Sequence, residues 1–126
     1  MKKSKVLMIE DDANVSKLIT DYLTKTGYDV TGFGDGPEAL EYVRQRGLPH
    51  IALVDLSLPS MHGFELANKL KSMADVPIIF VTSTGDKETI VQGLKKYAED
   101  FIVKPFELRE LEARIQVVLA RMPSLD

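Results

Sequence analysis

Three runs of consecutive apolar residues, Val6-Leu7-Met8-Ile9, Ile51-Ala52-Leu53-Val54 and Ile78-Ile79-Phe80-Val81, interrupt an otherwise mixed pattern along the chain. A parallel strand covered by helices needs apolar side chains on both of its faces, so these runs predict buried parallel strands. Phe101-Ile102-Val103 is a shorter fourth example. Tyr28-Asp29-Val30-Thr31-Gly32-Phe33 mixes polar and apolar positions and reads as a strand at the sheet edge. Between the runs, apolar residues recur every three or four positions: Val15, Leu18, Ile19, Tyr22 and Leu23; Ala39, Leu40 and Val43; Leu66, Ala67 and Leu70; Ile90, Val91 and Leu94; Leu108, Leu111, Ile115, Val118 and Leu119. Each set predicts a helix that covers one face of the sheet. Gly27 and Pro37 fall where a helix stop and a first-turn proline belong.

Strand and helix alternating five times make an α/β pattern: a doubly wound (βα)5, flavodoxin-like three-layer sandwich with a parallel five-stranded sheet in the order 2-1-3-4-5. Sites in such sheets lie beyond the carboxyl ends of the strands. A length of 126 residues with 44% hydrophobic content supports one core. We therefore read residues 1–126 as a single domain, with its core at about 5–121 and residues 122–126 as a tail or the start of a linker. Charge changes the picture little: both signs are interspersed and the formal net charge is -3, which argues against a nucleic-acid surface on this domain. The absence of cysteine removes disulfides, thiol nucleophiles and thiolate metal sites. Met1-Lys2-Lys3-Ser4-Lys5 is basic, but the apolar run after it is too short for a signal peptide or a membrane span, so a cytoplasmic domain without membrane contact is expected.

The residues that follow the buried runs carry the candidate chemistry. They are Glu10-Asp11-Asp12, then Asp55, then Thr82-Ser83-Thr84, then Lys104-Pro105. Two carboxylates about 4 Å apart repel by roughly 4 kcal/mol at an effective dielectric near 20, so a cluster of Glu10, Asp11 and Asp55 needs protons, Lys104 or a divalent cation. An all-oxygen ligand set favours magnesium, with manganese as a substitute. Asp11 and Asp12 alone are explained equally well as helix-capping acids, an effect of roughly 0.3 to 1 kcal/mol. Capping does not explain why Asp55, Thr82 and Lys104 end three other buried runs.

In their order and spacing, Val6-Leu7-Met8-Ile9-Glu10-Asp11-Asp12, Asp55-Leu56-Ser57-Leu58-Pro59 with Gly63, Val81-Thr82-Ser83 and Lys104-Pro105-Phe106 resemble a response-regulator receiver domain, from residue 6 to about 119. The resemblance implies that Asp55 takes a phosphoryl group from the phosphohistidine of a sensor histidine kinase or phosphotransfer protein. It implies magnesium held by Glu10, Asp11, Asp55 and the backbone carbonyl of Ser57, with Lys104 and Thr82 stabilising the transferred group. Thr82 and Phe101 become the switch pair, and Lys104-Pro105 a cis peptide. Such a domain is a signalling module with intrinsic autophosphorylation and autodephosphorylation, not an enzyme with a separate substrate. Ser57 and Thr84 occupy flanking positions that influence the lifetime of the phosphorylated state. Output is expected through the fourth helix, fifth strand and fifth helix, roughly residues 86–121, toward a downstream effector domain or protein.

Two positions depart from the family pattern. Asp100, Glu110 and Arg114 match a symmetric-dimer pattern, but Ile90 stands where the basic partner of Glu110 is expected, so at most a weak homodimer follows. Tyr97 stands where a glycine usually ends the fourth helix, which predicts an altered helix end without a left-handed residue. Other readings fit less well. Thr82-Ser83-Thr84-Gly85-Asp86-Lys87-Glu88-Thr89 resembles the phosphate loop of FMN-binding flavodoxins, yet that loop belongs after the first strand, where three acids stand instead. A phosphatase using an aspartyl phosphate needs Asp-x-Asp, and Asp55-Leu56-Ser57 lacks it. No Gly-x-Ser-x-Gly elbow occurs, and His50 and His62 lack zinc-site spacing; His50 is expected at a strand start and His62 as a solvated loop residue beside the pocket.

Overall fold

In the computed structural model the described residues are 3–83, 85–97 and 99–121; Thr84 and the expected tail at 122–126 lie outside them. Among these residues the elements alternate: β1 (Lys5–Ile9), α1 (Ala13–Lys25), β2 (Asp29–Phe33), α2 (Gly36–Arg46), β3 (Ile51–Asp55), α3 (Gly63–Met73), β4 (Ile78–Thr82), α4 (Lys87–Lys96), β5 (Asp100–Val103) and α5 (Leu108–Arg121). All neighbouring strands pair in parallel, in the expected order β2-β1-β3-β4-β5.

Strand alternation splits each apolar run between two cores. Leu7, Ile9, Val54 and Phe80 face α2 and α3, packing on Leu40, Val43, Leu66 and Leu70. Val6, Met8, Leu53 and Val81 face the other way, onto Ile19, Leu23, Leu111, Ile115 and Val118 of α1 and α5. Side chains start the helices: Asp12 accepts the Asn14 and Val15 N–H groups before α1, and Asp35 accepts Glu38 N–H before α2. Pro37 occupies the first turn of α2, and Gly27, after α1, takes φ of 104°.

The helical spacing misplaces part of two apolar faces. Leu18 is 61% exposed on α1, and in α4 Val91 and Leu94 are 46% and 44% exposed. The inward stripe of α4 is Ile90, Gly93 and Tyr97, with Gly93 buried and the other two half-buried against the core. Periodicity misses this stripe because glycine contributes nothing to a hydrophobic pattern. The end of α4 is altered as expected: Tyr97 caps it at φ -129°, donating its N–H to the Gly93 carbonyl, and no described non-glycine residue has positive φ.

Candidate functional site

Parallel register brings the strand ends to one edge. Ile9 pairs with Val54, Asp55 with Val81 and Thr82 with Val103, so the residues that end β1, β3, β4 and β5 are neighbours. Glu10, Asp55 and Thr82 are buried there, while Asp11 is exposed at the rim. One ligand oxygen each from Glu10, Asp11 and Asp55 lies within 4.8 Å of the others. These are the three acids that the sequence singles out. Asp12 stays apart as the α1 cap, so capping is the right account of Asp12 and not of Asp11.

Lys104 closes the cluster. Its Nζ lies 2.8 Å from Glu10 Oε1 and 3.2 Å from Asp55 Oδ2. Its backbone N–H donates to the Thr82 carbonyl at 2.7 Å, which ties the end of β5 to that of β4. The Lys104-Pro105 peptide bond is cis. The second oxygen of each buried acid is also engaged: Asp55 Oδ1 accepts the Ser57 N–H at 2.9 Å, and Glu10 Oε2 accepts the Asp12 N–H at 3.1 Å. Burial raises the Glu10 carboxyl above its ordinary range and Asp55 adds to the rise, against the lowering pull of Lys104 and the Asp12 amide. Burial by itself would depress Lys104, but the Glu10 and Asp55 carboxylates outweigh it and hold the ammonium above its usual value. One lysine therefore leaves the acidic pocket short of positive charge. A hard divalent cation fits that deficit and the all-oxygen donor set.

Gly63 sets how closely α3 approaches the phosphoacceptor candidate. A Cβ there would lie 2.8 Å from both the Asp55 carbonyl oxygen and Leu56 Cα, and the Gly63 N–H donates to the Leu56 carbonyl at 3.0 Å. Phe101 is buried against Phe80, with ring centroids 5.0 Å apart. His50 precedes β3 at the opposite end of the sheet, where its Nδ1 accepts the Lys5 N–H. His62 is exposed, as expected, but it also shapes the local backbone, since its Nδ1 caps α3 by accepting the Phe64 N–H and its ring lies 5.1 Å from Phe64. The usual capping residues are Ser, Thr, Asp and Asn, which is why the sequence points to a solvated loop position for His62 and not to a helix cap.

Sheet order and edge chemistry together place the chain in the class of doubly wound α/β domains with an acidic cluster at the carboxyl edge of the sheet. The chain belongs to the response regulator receiver domain family, which it matches over residues 6–116. It is 40% identical to the probable transcriptional regulator ycf27 of Porphyridium aerugineum over 97% of this chain and 50% of that protein. Identity to the DNA-binding response regulator MtrA of Mycobacterium tuberculosis is 37%, over 94% of this chain and 52% of MtrA. The chain thus spans about half the length of the relatives it matches. Among solved structures, a CheY-like response regulator receiver domain protein from Methanospirillum hungatei superposes with a TM-score of 0.88 at 28% identity, covering 94% of this chain and 95% of that one. The receiver domain of a Pseudomonas aeruginosa sensor histidine kinase, described with a magnesium ion coordinated in its active-site cleft, superposes at 0.83 with 25% identity, covering 94% and 99%. Family membership decides between the receiver and flavodoxin readings. Among the described residues, no helix is long and apolar enough to cross a membrane.

Proposed function

We propose that this chain is the phosphoacceptor of a two-component response regulator, with Asp55 receiving a phosphoryl group from a phosphohistidine on a sensor kinase or phosphotransfer protein. The observation that carries the reading is the asymmetric hold on Asp55 inside the acidic cluster: Ser57 N–H on one oxygen, Lys104 on the other. Such a hold orients a carboxylate for in-line attack, and phosphoryl transfer depends mainly on placement and on neutralising the equatorial oxygens. An Asp55 oxygen would bond to phosphorus as the phosphorus–nitrogen bond breaks, and the departing imidazole keeps the electron pair. Glu10, Asp11, Asp55 and the Ser57 carbonyl would hold magnesium, or manganese in its place, and the ion would supply positive charge to the phosphoryl oxygens. Lys104 would move its contact from Asp55 to the new phosphoryl group, and the Thr82 hydroxyl would turn toward it, with Phe101 packing behind. Attack of water on phosphorus would return Asp55 and inorganic phosphate, which makes both loading and resetting properties of the domain.

Output would leave through α4, β5 and α5, toward an effector domain or protein. There Arg114 pairs with Asp100 at 2.9 Å and with Glu110 at 3.2 Å within one protomer. Those charges, together with Ile90, favour at most a weak homodimer, and no nucleic-acid contact is assigned to this domain. Incubation with acetyl phosphate and magnesium should add the mass of one phosphoryl group to the wild-type chain and none to Asp55→Asn. Equal labelling of the two proteins, or none of the wild type, would overturn the reading.

A further inference from the structure

Among the described helices, α4 is the least embedded. It buries one residue, Gly93, whereas every other described helix buries at least two. Its attachment rests on aromatic rings supplied by other elements. A Cβ on Gly93 would lie 2.5 Å from Phe101 Cζ and 2.9 Å from Phe64 Cε1, so both rings press against the bare helix backbone. One turn later the Tyr97 ring covers Phe64, with centroids 5.3 Å apart and planes tilted by 33°. Phe64 in turn meets Phe80 edge-on at 5.1 Å, and Phe80 meets Phe101. Phe64 lies in the first turn of α3, directly after the Gly63 contact with the backbone of Asp55 and Leu56, and next to the His62 cap. Helix α4 therefore touches the first turn of α3 at two points, Gly93 and Tyr97.

We propose that Tyr97 is a positioning residue that clamps the end of α4 onto Phe64. This clamp gives the phosphoacceptor strand a second line to the output helix, through Asp55, Gly63, Phe64 and Tyr97, beside the one through Thr82 and Phe101, which it meets at Phe80 and Gly93. The inference rests on the proposed loading of Asp55 for its input, and on packing alone for the clamp. A helix with so few buried side chains moves when one anchor is released, and aromatic pairs of this geometry contribute beyond the area they bury. Residues in direct contact should couple non-additively.

Amide hydrogen exchange on the whole chain tests the clamp without any phosphodonor. Tyr97→Ala should speed exchange across α4 at least fivefold and leave β1 and β3 unchanged, while Tyr97→Phe, which keeps the ring, should retain wild-type rates. Phe64→Leu, which also loses the contact at Gly93, should speed α4 exchange at least as much as Tyr97→Ala, and the double variant should exchange no faster than Phe64→Leu alone. Unchanged α4 exchange in Tyr97→Ala, loss of protection in Tyr97→Phe, or additive effects in the double variant would overturn the clamp. The signalling role is read separately, by adding beryllofluoride and magnesium and following backbone amide shifts. Wild type should respond at both residues 62–65 and 95–97, whereas Tyr97→Ala should respond at 62–65 and lose at least half of the shift at 95–96. An equal response in the variant would overturn the second line. Failure of wild type to bind beryllofluoride would instead overturn the loading of Asp55, leaving the exchange result to decide the clamp.

Discussion

Glu10, Asp11 and Asp55 repel one another around a single lysine, and that repulsion is the measurable signature of the pocket. Removing one charge at the exposed rim should relieve it. Asp11→Asn is expected to raise the melting temperature in the absence of divalent cations by about 3 °C, the equivalent of roughly 1 kcal/mol after allowance for solvent screening. Magnesium should stabilise wild type and stabilise this variant much less, as read by calorimetry with and without the ion. Glu10 adds a pH dependence of definite sign. Its folded-state pKa lies above the ordinary value of 4.5, so the folded protein holds this proton more tightly than the unfolded chain does. Stability from this group is fully present below that ordinary value and is lost as pH rises through the folded pKa. The difference in melting temperature between wild type and Glu10→Gln, measured without metal across that window, should shift against wild type as pH rises; a flat difference would contradict the burial argument. At Gly63 the limit is steric. Gly63→Ala places a methyl group 2.8 Å from two backbone atoms, and a loss of about 2 kcal/mol, with slower labelling of Asp55, is expected from denaturant titration and mass analysis.

Helix α4 shows how two local preferences can oppose each other. Alanine is favoured over glycine inside a helix by about 1 kcal/mol, yet a methyl group on Gly93 would overlap Phe101, and overpacking of this kind costs about 1 to 3 kcal/mol. Phe101 is itself buried against Phe80 and has little room to yield, so the overlap should win. Gly93→Ala is expected to be net destabilising by about 1 kcal/mol, in thermal or denaturant unfolding. The start of α4 depends on Asp86, whose side chain accepts the Thr89 hydroxyl at 2.7 Å and the Thr89 N–H at 3.3 Å. These bonds lower the Asp86 pKa, so its support of the helix is present above the ordinary carboxylate value and fades as pH falls through the depressed one. Boundaries and caps at this scale were largely legible: Asp12, Gly27 and Pro37 announce them, while the Asp35 cap of α2 emerged only in the structure. The rotation of α4 was not legible, because Ile90, Val91 and Leu94 form a plausible apolar set and only the rings of Phe64 and Phe101 reveal Gly93 as the contact point.

Across the whole domain, on the face proposed for output, Arg114 is already paired with Asp100 and Glu110 within one protomer. In a symmetric dimer, Ile90 would leave Glu110 without its expected partner. Ile90→Lys should therefore tighten self-association in the presence of beryllofluoride and magnesium, by about tenfold if one exposed pair of roughly 0.7 kcal/mol forms twice; sedimentation equilibrium would show it. The α/β class, the strand order and the acids that end the strands could all be read from the linear pattern of residues. A parallel strand between two helical layers must be apolar on both faces, and polar residues at its end then stand out. Which charges meet, and at what distance, emerges only on folding, because Glu10 and Asp55 lie 94 and 49 positions from Lys104. The clamp of Tyr97 on Phe64 emerges in the same way. That contact depends on the side chain glycine lacks at position 93, and an absence of atoms acquires physical meaning only when neighbouring rings arrive to fill it.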